Sequence, residues 1–185
     1  MNIRYNRVCP AAISGILDNR IRRWFQKPRE ILEPYVKEGM TVLDLGCGPG
    51  FFSTEIARMV GSSGLVIASD LQEEMLHKLR KKIQGTELEG RIVLHKCKED
   101  VIGISEKVDL AIAFYMLHEV PNPEKTLNEL ASIVKGNGFL FIAEPYLHVS
   151  PKSFNKTIKI ALNNGFTIVE RPKVFLSRAV VLKKD

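Results

Sequence analysis

Apolar runs of strand length alternate along this chain with segments of helical period, and that alternation admits few folds. Residues 40–45 (MTVLDL), 65–70 (LVIASD), 91–97 (RIVLHKC), 108–116 (VDLAIAFYM) and 139–145 (FLFIAEP) read as strands. The fourth is almost uniformly apolar, as a strand covered on both faces is. Residues 51–60 place Phe52, Ile56, Met59 and Val60 on one helical face. Residues 73–83 place Met75, Leu76, Leu79 and Ile83 at helical spacing, with acids first and bases last as the helix dipole prefers. Residues 122–134 open with an asparagine cap and a proline at the first helical position, carry Leu127, Leu130 and Val134 as a buried stripe, and meet GNG as a stop. Residues 150–165 repeat the pattern with Ser150 and Pro151, direct Phe154, Ile158 and Leu162 inward, and finish at Gly165. Strand then helix, repeated, builds an open, mostly parallel α/β sheet wound in both directions.

The end of the chain breaks the pattern. Residues 166–184 (FTIVERPKVFLSRAVVLKK) read as two strands joined by a tight turn at RPK, with no helix between them, so the pair is antiparallel. The expected architecture is a doubly wound, Rossmann-like sheet of seven strands, the last antiparallel, behind a helical N-terminal lead-in. The 185 residues suit one domain with a sizeable core, residues 1–38 forming the lead-in and 39–185 the core. No internal repeat, low-complexity tract or Ser/Gly-rich linker divides it.

Composition narrows the function classes. With 45% hydrophobic and 26% charged residues the chain fits a soluble globular protein. No apolar stretch is long enough to span a bilayer, and the opening MNIRYNRVCP lacks an apolar signal core. Cys9, Cys47 and Cys97 are odd in number and widely spaced, which argues against a disulfide framework and for a reducing, cytoplasmic setting. Without a CxxC pair no structural zinc site is expected, and no metal is assigned. The net charge of +6 is spread over scattered lysines and reads as solubility. Arg20, Arg22, Arg23, Lys27 and Arg29 do gather around Trp24, where a solvated helix face is the simpler reading than an anion or nucleic-acid site.

In doubly wound sheets ligands bind beyond the carboxyl ends of the strands, where strand order reverses, and the first strand normally flanks that point. Immediately after that strand the chain reads VLDLGCGPG, residues 42–50. Gly46, Gly48 and Gly50 permit dihedrals closed to other residues and let a ligand touch the backbone. The helix that follows offers unpaired N–H groups to an anion. Twenty positions after Gly50, Asp70 ends the second strand, placed to accept both hydroxyls of a ribose. The sixth position from Gly46 is Phe51, so the G-x-G-x-x-G of a dinucleotide site is incomplete, and a Walker lysine-serine pair is absent. A nucleoside cofactor with a small anionic group fits both features.

VLDLGCGPG resembles the first motif of the class I S-adenosylmethionine-dependent methyltransferases. The resemblance runs over roughly residues 28–184. Asp70 falls on the ribose-binding acid of that family. Residues 113–145 (AFYMLHEVPNPEKTLNELASIVKGNGFLFIAEP) are similar to the strand-four to strand-five segment of its small-molecule branch, which includes the ubiquinone-biosynthesis methyltransferases. The closing antiparallel pair resembles the strand pair that marks the fold. The resemblance implies methyl transfer from S-adenosylmethionine to a small-molecule acceptor by direct in-line displacement, leaving S-adenosylhomocysteine.

It also implies site residues. Asp44, Gly46, Cys47, Gly48 and Gly50 would hold the amino-acid end of the cofactor, the loop amides as donors to its carboxylate and Asp44 as an acid near its ammonium; Asp70 would take the ribose, and Leu71 the adenine face. Phe114 and Tyr115 would line the methionine side near the reacting methyl. Relatives carry an acid after strand three to read the adenine; here the stretch is HKCKED, so Cys97 or Lys98 stands at that position and Glu99 or Asp100 is a substitute. The family's leading helices form a lid, which makes Tyr5, Asn6 and Arg7 lid residues. At the rim after strand four, His118 reads either as a general base or as a residue that orients the loop, and Tyr115 is a second catalytic candidate. Glu119, Glu144, Tyr146 and His148 share that edge. Two other functions stay open: an RNA or protein methyltransferase, disfavoured by AFYMLHEV in place of an Asn-Pro-Pro-Tyr-type signature, and a non-catalytic cofactor-binding module, disfavoured by the intact cofactor motif.

Overall fold

The structure is a computed structural model in which residues 26–185 are described. Tyr5, Asn6, Arg7, Cys9, Trp24 and the arginines at 20, 22 and 23 lie outside the described residues. Seven strands form one sheet: β1 (Thr41–Leu45), β2 (Leu65–Asp70), β3 (Ile92–Lys96), β4 (Val108–Phe114), β5 (Val134–Pro145), β6 (Phe166–Glu170) and β7 (Ser177–Lys184). Their order is β3-β2-β1-β4-β5-β7-β6. The first five pair in parallel, and β7 runs antiparallel to both β5 and β6. Strand order reverses between β1 and β4, so the loops leaving those two strands flank the crevice where such sheets bind ligands.

Among the described residues five α-helices cover the sheet: α1 (Pro28–Leu32), α2 (Ser53–Val60), α3 (Glu73–Ile83), α4 (Pro123–Ile133) and α5 (Pro151–Asn163). Alternating side chains of one strand feed two cores. Val42, Val66, Leu110, Ile112 and Phe141 pack under α1–α3 with Leu32, Ile56 and Leu79. Leu43, Ile67, Ala111, Leu140 and Ile142 pack under α4 and α5 with Leu127, Leu130, Phe154 and Ile158. A strand buried on both faces has no polar face to show, which is why β4 reads as unbroken apolar sequence.

Three sequence expectations need correction. α4 ends at Ile133, before GNG: Val134 is buried in β5, opposite Val108, and Gly136, Asn137 and Gly138 lie inside that strand beside a register shift between Val108 and Leu110. Leu162 is 40% exposed, because the buried stripe of α5 runs Phe154, Ile158, Ala161 and leaves Leu162 at its margin. RPK does not form a tight turn: residues 171–176 all lie between β6 and β7, and the chain reverses at Val174–Ser177, where the Ser177 amide donates to the Val174 carbonyl at 3.0 Å.

The caps fit the sequence reading. Asn122 Oδ1 accepts from the Lys125 amide at 3.0 Å, and Ser150 Oγ accepts from the Ser153 amide at 3.1 Å. Asn122→Ala should cost about 1 kcal/mol, a fall of about 2–4 °C in melting temperature for a chain of this size. A thermal melt equal to that of the parent would show that the cap contributes nothing.

Candidate functional site

The loop after β1 is fixed to β2 by hydrogen bonds that begin where strand pairing ends. The amides of Gly46 and Cys47 both donate to the Ser69 carbonyl, at 2.8 and 3.0 Å. Asp70, at the tip of β2, braces two segments: its Oδ2 accepts from the Gly48 amide and its Oδ1 from the Gln72 amide, each at 2.8 Å. Asp70 is 7% exposed. Burial pushes its pKa up, against the opposing pull of hydrogen bonds from the Gln72, Gly48 and Leu71 amides. Asp44 lies beneath the loop, where its Oδ2 accepts from Ser53 Oγ at 2.5 Å at the start of α2.

These bonds correct one expectation. The amides of Gly46, Cys47, Gly48 and Gly50 all donate within the protein, the last to the Cys47 carbonyl at 3.1 Å. They are not spare donors for an anion, because the Ser69 carbonyl and the Asp70 carboxylate take them. The bare backbone serves other ends. A Cβ on Gly46 (φ +74°) would stand 2.8 Å from Met116 Cβ on the β4 side. A Cβ on Gly48 (φ +53°) would meet nothing within 4 Å, and Gly48 lines the cavity described next.

A cavity of about 320 Å³ opens along this sheet edge. Gly46, Gly48, Asp70 and Leu71 form its first wall, and Cys97, Lys98, Glu99 and Asp100 its β3 end. Tyr115, His118, Glu119 and His148 line the opposite end. The fold thus brings most of the sequence-predicted residues together. Asp44, Cys47, Gly50 and Phe114 do not reach the wall. Phe114 is 6% exposed, and its ring packs on Phe52 at 4.3 Å and on Tyr115 at 4.5 Å. As the last residue of β4 it points into the α1–α3 core by strand alternation, so its expected place beside the methionine side is not where it sits. Cys47 is buried, and burial beside Asp44 and Asp70 pushes its thiol pKa well up.

Tyr115 follows Phe114 with φ +61°, a left-handed backbone unusual for a bulky residue. Its hydroxyl is tied down: Gln26 Nε2 donates to it at 2.6 Å, and Ser177 Oγ lies 2.5 Å away. At the β3 end, Asp100 is paired with Lys125 Nζ at 2.9 Å and its pKa is lowered by that lysine. Glu129 of α4 accepts from the Ile102 and Gly103 amides at 2.9 and 2.6 Å and fixes the segment after Lys98. Sequence reading missed Gln72, Met116 and Pro145 on the wall. Each lies within two residues of a strand's carboxyl end, which is the signal that could have found them.

A two-point polar contact at the β4 end joins His118 to Glu144. Glu144, 2% exposed in β5, sets its Oε2 2.5 Å from His118 Nδ1 and accepts from the His118 amide through Oε1 at 3.2 Å. A carboxylate only accepts, so Nδ1 carries a proton, and in the neutral ring Nε2 keeps its lone pair. Glu119 Oε1 is 3.9 Å from Nε2, and the His148 ring centroid is 5.8 Å from that of His118. Burial of the imidazole disfavours its charge, yet the Glu144 hydrogen bond and the Glu144 and Glu119 charges outweigh that, and its pKa is raised above the ordinary 6.5.

The profile of a family described as a methyltransferase domain matches residues 36–170. The ubiquinone/menaquinone biosynthesis C-methyltransferase UbiE of Pasteurella multocida is 29% identical over 124 residues, 65% of this chain and 46% of that protein. The demethylmenaquinone methyltransferase of Lactobacillus johnsonii is 32% identical over 117 residues, 63% of this chain and 48% of that protein. The chain spans about half the length of these curated relatives. The crystal structure of a SAM-dependent methyltransferase from Aquifex aeolicus matches with a TM-score of 0.86 and 27% identity, covering 96% of this chain and all of that one.

Proposed function

The chain belongs to the methyltransferase-domain family, and from that premise we propose that it transfers a methyl group from S-adenosylmethionine to a small-molecule acceptor. One observation carries this reading: a single cavity joins the glycine loop and the buried Asp70 to a rim bearing His118 and His148. The cofactor is S-adenosylmethionine, and the residues present suit it. Asp70 presents a buried carboxylate to a ribose, each oxygen keeping acceptor capacity beyond its amide bond. Gly48 offers a bare face to the ligand space, and Leu71 offers an apolar one. Lys98 and Glu99 flank the adenine end, while Asp100 is committed to Lys125. Asp44, Cys47 and Gly50 act from beneath, by holding the loop.

When bound, the cofactor supplies a methyl group on a sulfonium, a strong leaving group. The protein's task is to align the acceptor in line with that methyl and to exclude water. Tyr115, anchored by Gln26 and Ser177, is a fixed wall for this alignment. The names of the relatives point to quinone-ring acceptors, and we take a reduced quinone ring as the acceptor class. Residues 1–38 are read as a lead-in to a catalytic core formed by the rest of the chain. No helix among the described residues is long and apolar enough to cross a membrane. The widely spaced cysteines favour a reducing, cytoplasmic setting.

Transfer of tritiated methyl from S-adenosylmethionine tests this directly. With 1,4-naphthohydroquinone held reduced by dithionite, label should enter the organic extract. Label found only in added transfer RNA, with none in the extract, would overturn the small-molecule assignment.

A further inference from the structure

We infer that His118, held by buried Glu144 and neutral when it acts, removes a proton from the acceptor, and that the acceptor enters as a neutral molecule with a weakly acidic O–H. This rests on the methyl-transfer reading above. The geometry is that of an oriented base. Glu144 approaches from β5 with both oxygens engaged, one on the His118 backbone amide and one on Nδ1. The first contact alone would position the loop; the second fixes the tautomer and turns Nε2 into the free basic atom. A carboxylate 2% exposed is costly to bury unless its charge is matched, and an imidazolium at 2.5 Å matches it when the ring takes a proton.

The surroundings select the acceptor. The groups facing His118 are Glu144 from β5, Glu119 from its own loop and His148 from the loop after β5. Across the cavity stand Lys98, Glu99 and Asp100, the last neutralised by Lys125. Two carboxylates at the acceptor end oppose an anionic acceptor, so the molecule must arrive with its proton on. The acceptor's O–H bond breaks and its proton moves to His118 Nε2. The electron pair left behind forms the new bond to the methyl carbon, at the oxygen or through a conjugated ring at the neighbouring carbon. The sulfur–methyl bond breaks, its pair remaining on sulfur as a neutral thioether. In the carbon case the ring regains aromaticity when that carbon's proton moves to the oxygen. The imidazolium then releases its proton to water.

His118 must be neutral to act, and its raised pKa places that transition above 6.5. The rate should therefore rise with pH along a limb centred above that value. The test uses the full chain with tritiated S-adenosylmethionine and reduced 1,4-naphthohydroquinone, alongside nitrogen-15 NMR titration of the histidines with S-adenosylhomocysteine bound. His118→Asn should lose roughly 100-fold or more in turnover while still binding the cofactor. Glu144→Gln should lower both the midpoint of the rate limb and the NMR midpoint of His118, and Glu144→Asp should restore them in part. A turnover loss under threefold in His118→Asn, or an NMR midpoint unmoved in Glu144→Gln, would overturn the inference. Wild-type protein that binds the cofactor but leaves the quinol unmethylated would overturn the acceptor class. Failure to bind the cofactor would instead strike the methyl-transfer reading itself.

Discussion

Gly46→Ala should both unfold the protein more easily and weaken S-adenosylmethionine binding by more than tenfold. The residue sits at φ +74°, where a Cβ costs about 1–2 kcal/mol. That Cβ would also stand 2.8 Å from Met116 Cβ and 3.0 Å from Met116 Cγ. A Cβ is fixed to its backbone, so relief requires moving the segment after β4, at a further cost of about 1–3 kcal/mol. Together these lower the melting temperature by about 5–15 °C. The shift displaces Tyr115 and Met116, both on the cavity wall, so affinity falls as well. Gly48→Ala separates the two effects. Its Cβ meets nothing within 4 Å and faces the ligand space, so it carries only the left-handed backbone cost at φ +53°, about 1–2 kcal/mol, and affinity should fall with a smaller loss in melting temperature than in Gly46→Ala. Thermal melts and cofactor titration on both variants check the pair; equal melting losses would show that the Met116 contact is not limiting.

Asp70→Ala should weaken the cofactor more than tenfold, because a pair of ribose hydroxyls would lose its acceptor. The structure adds a second cost. Asp70 also takes the Gly48 and Gln72 amides, so its removal frees the loop that shapes the site. The same carboxylate gives a pH signature. Burial raises its pKa, so the ionised form is lost, as pH falls, earlier than for an exposed aspartate. The ionised form accepts from the hydroxyls, so affinity should decline as pH falls, and the decline should set in at higher pH than an exposed aspartate would give. A flat profile, or unchanged affinity in Asp70→Ala, would remove Asp70 from the ribose position.

The sequence exposed what local pattern encodes. Apolar runs of strand length and period-3.6 apolar spacing located every strand and four of the helices among the described residues, and the spacing from Gly50 to Asp70 located the crevice. Other features depend on pairing between distant strands. His118 and Glu144 are 26 residues apart, and they meet because Phe114 pairs with Ala143 across the parallel β4–β5 register. Each was legible as an edge residue, but their hydrogen bond was not. The loop amides looked free because the Ser69 carbonyl that takes two of them lies on another strand. Phe114 was assigned to the cavity from the resemblance, although strand alternation already pointed its ring to the core. Val134 misled because one valine satisfies both the end of a helical stripe and the start of a strand.

The most direct test of the central claim is calorimetric titration of the chain with S-adenosylmethionine and S-adenosylhomocysteine, with NAD as control. Binding of both sulfur nucleosides in the micromolar range, without heat from NAD, is the expected result. Absence of binding by either nucleoside, or binding of NAD in their place, would contradict the assignment of the cavity beside Asp70 to this cofactor.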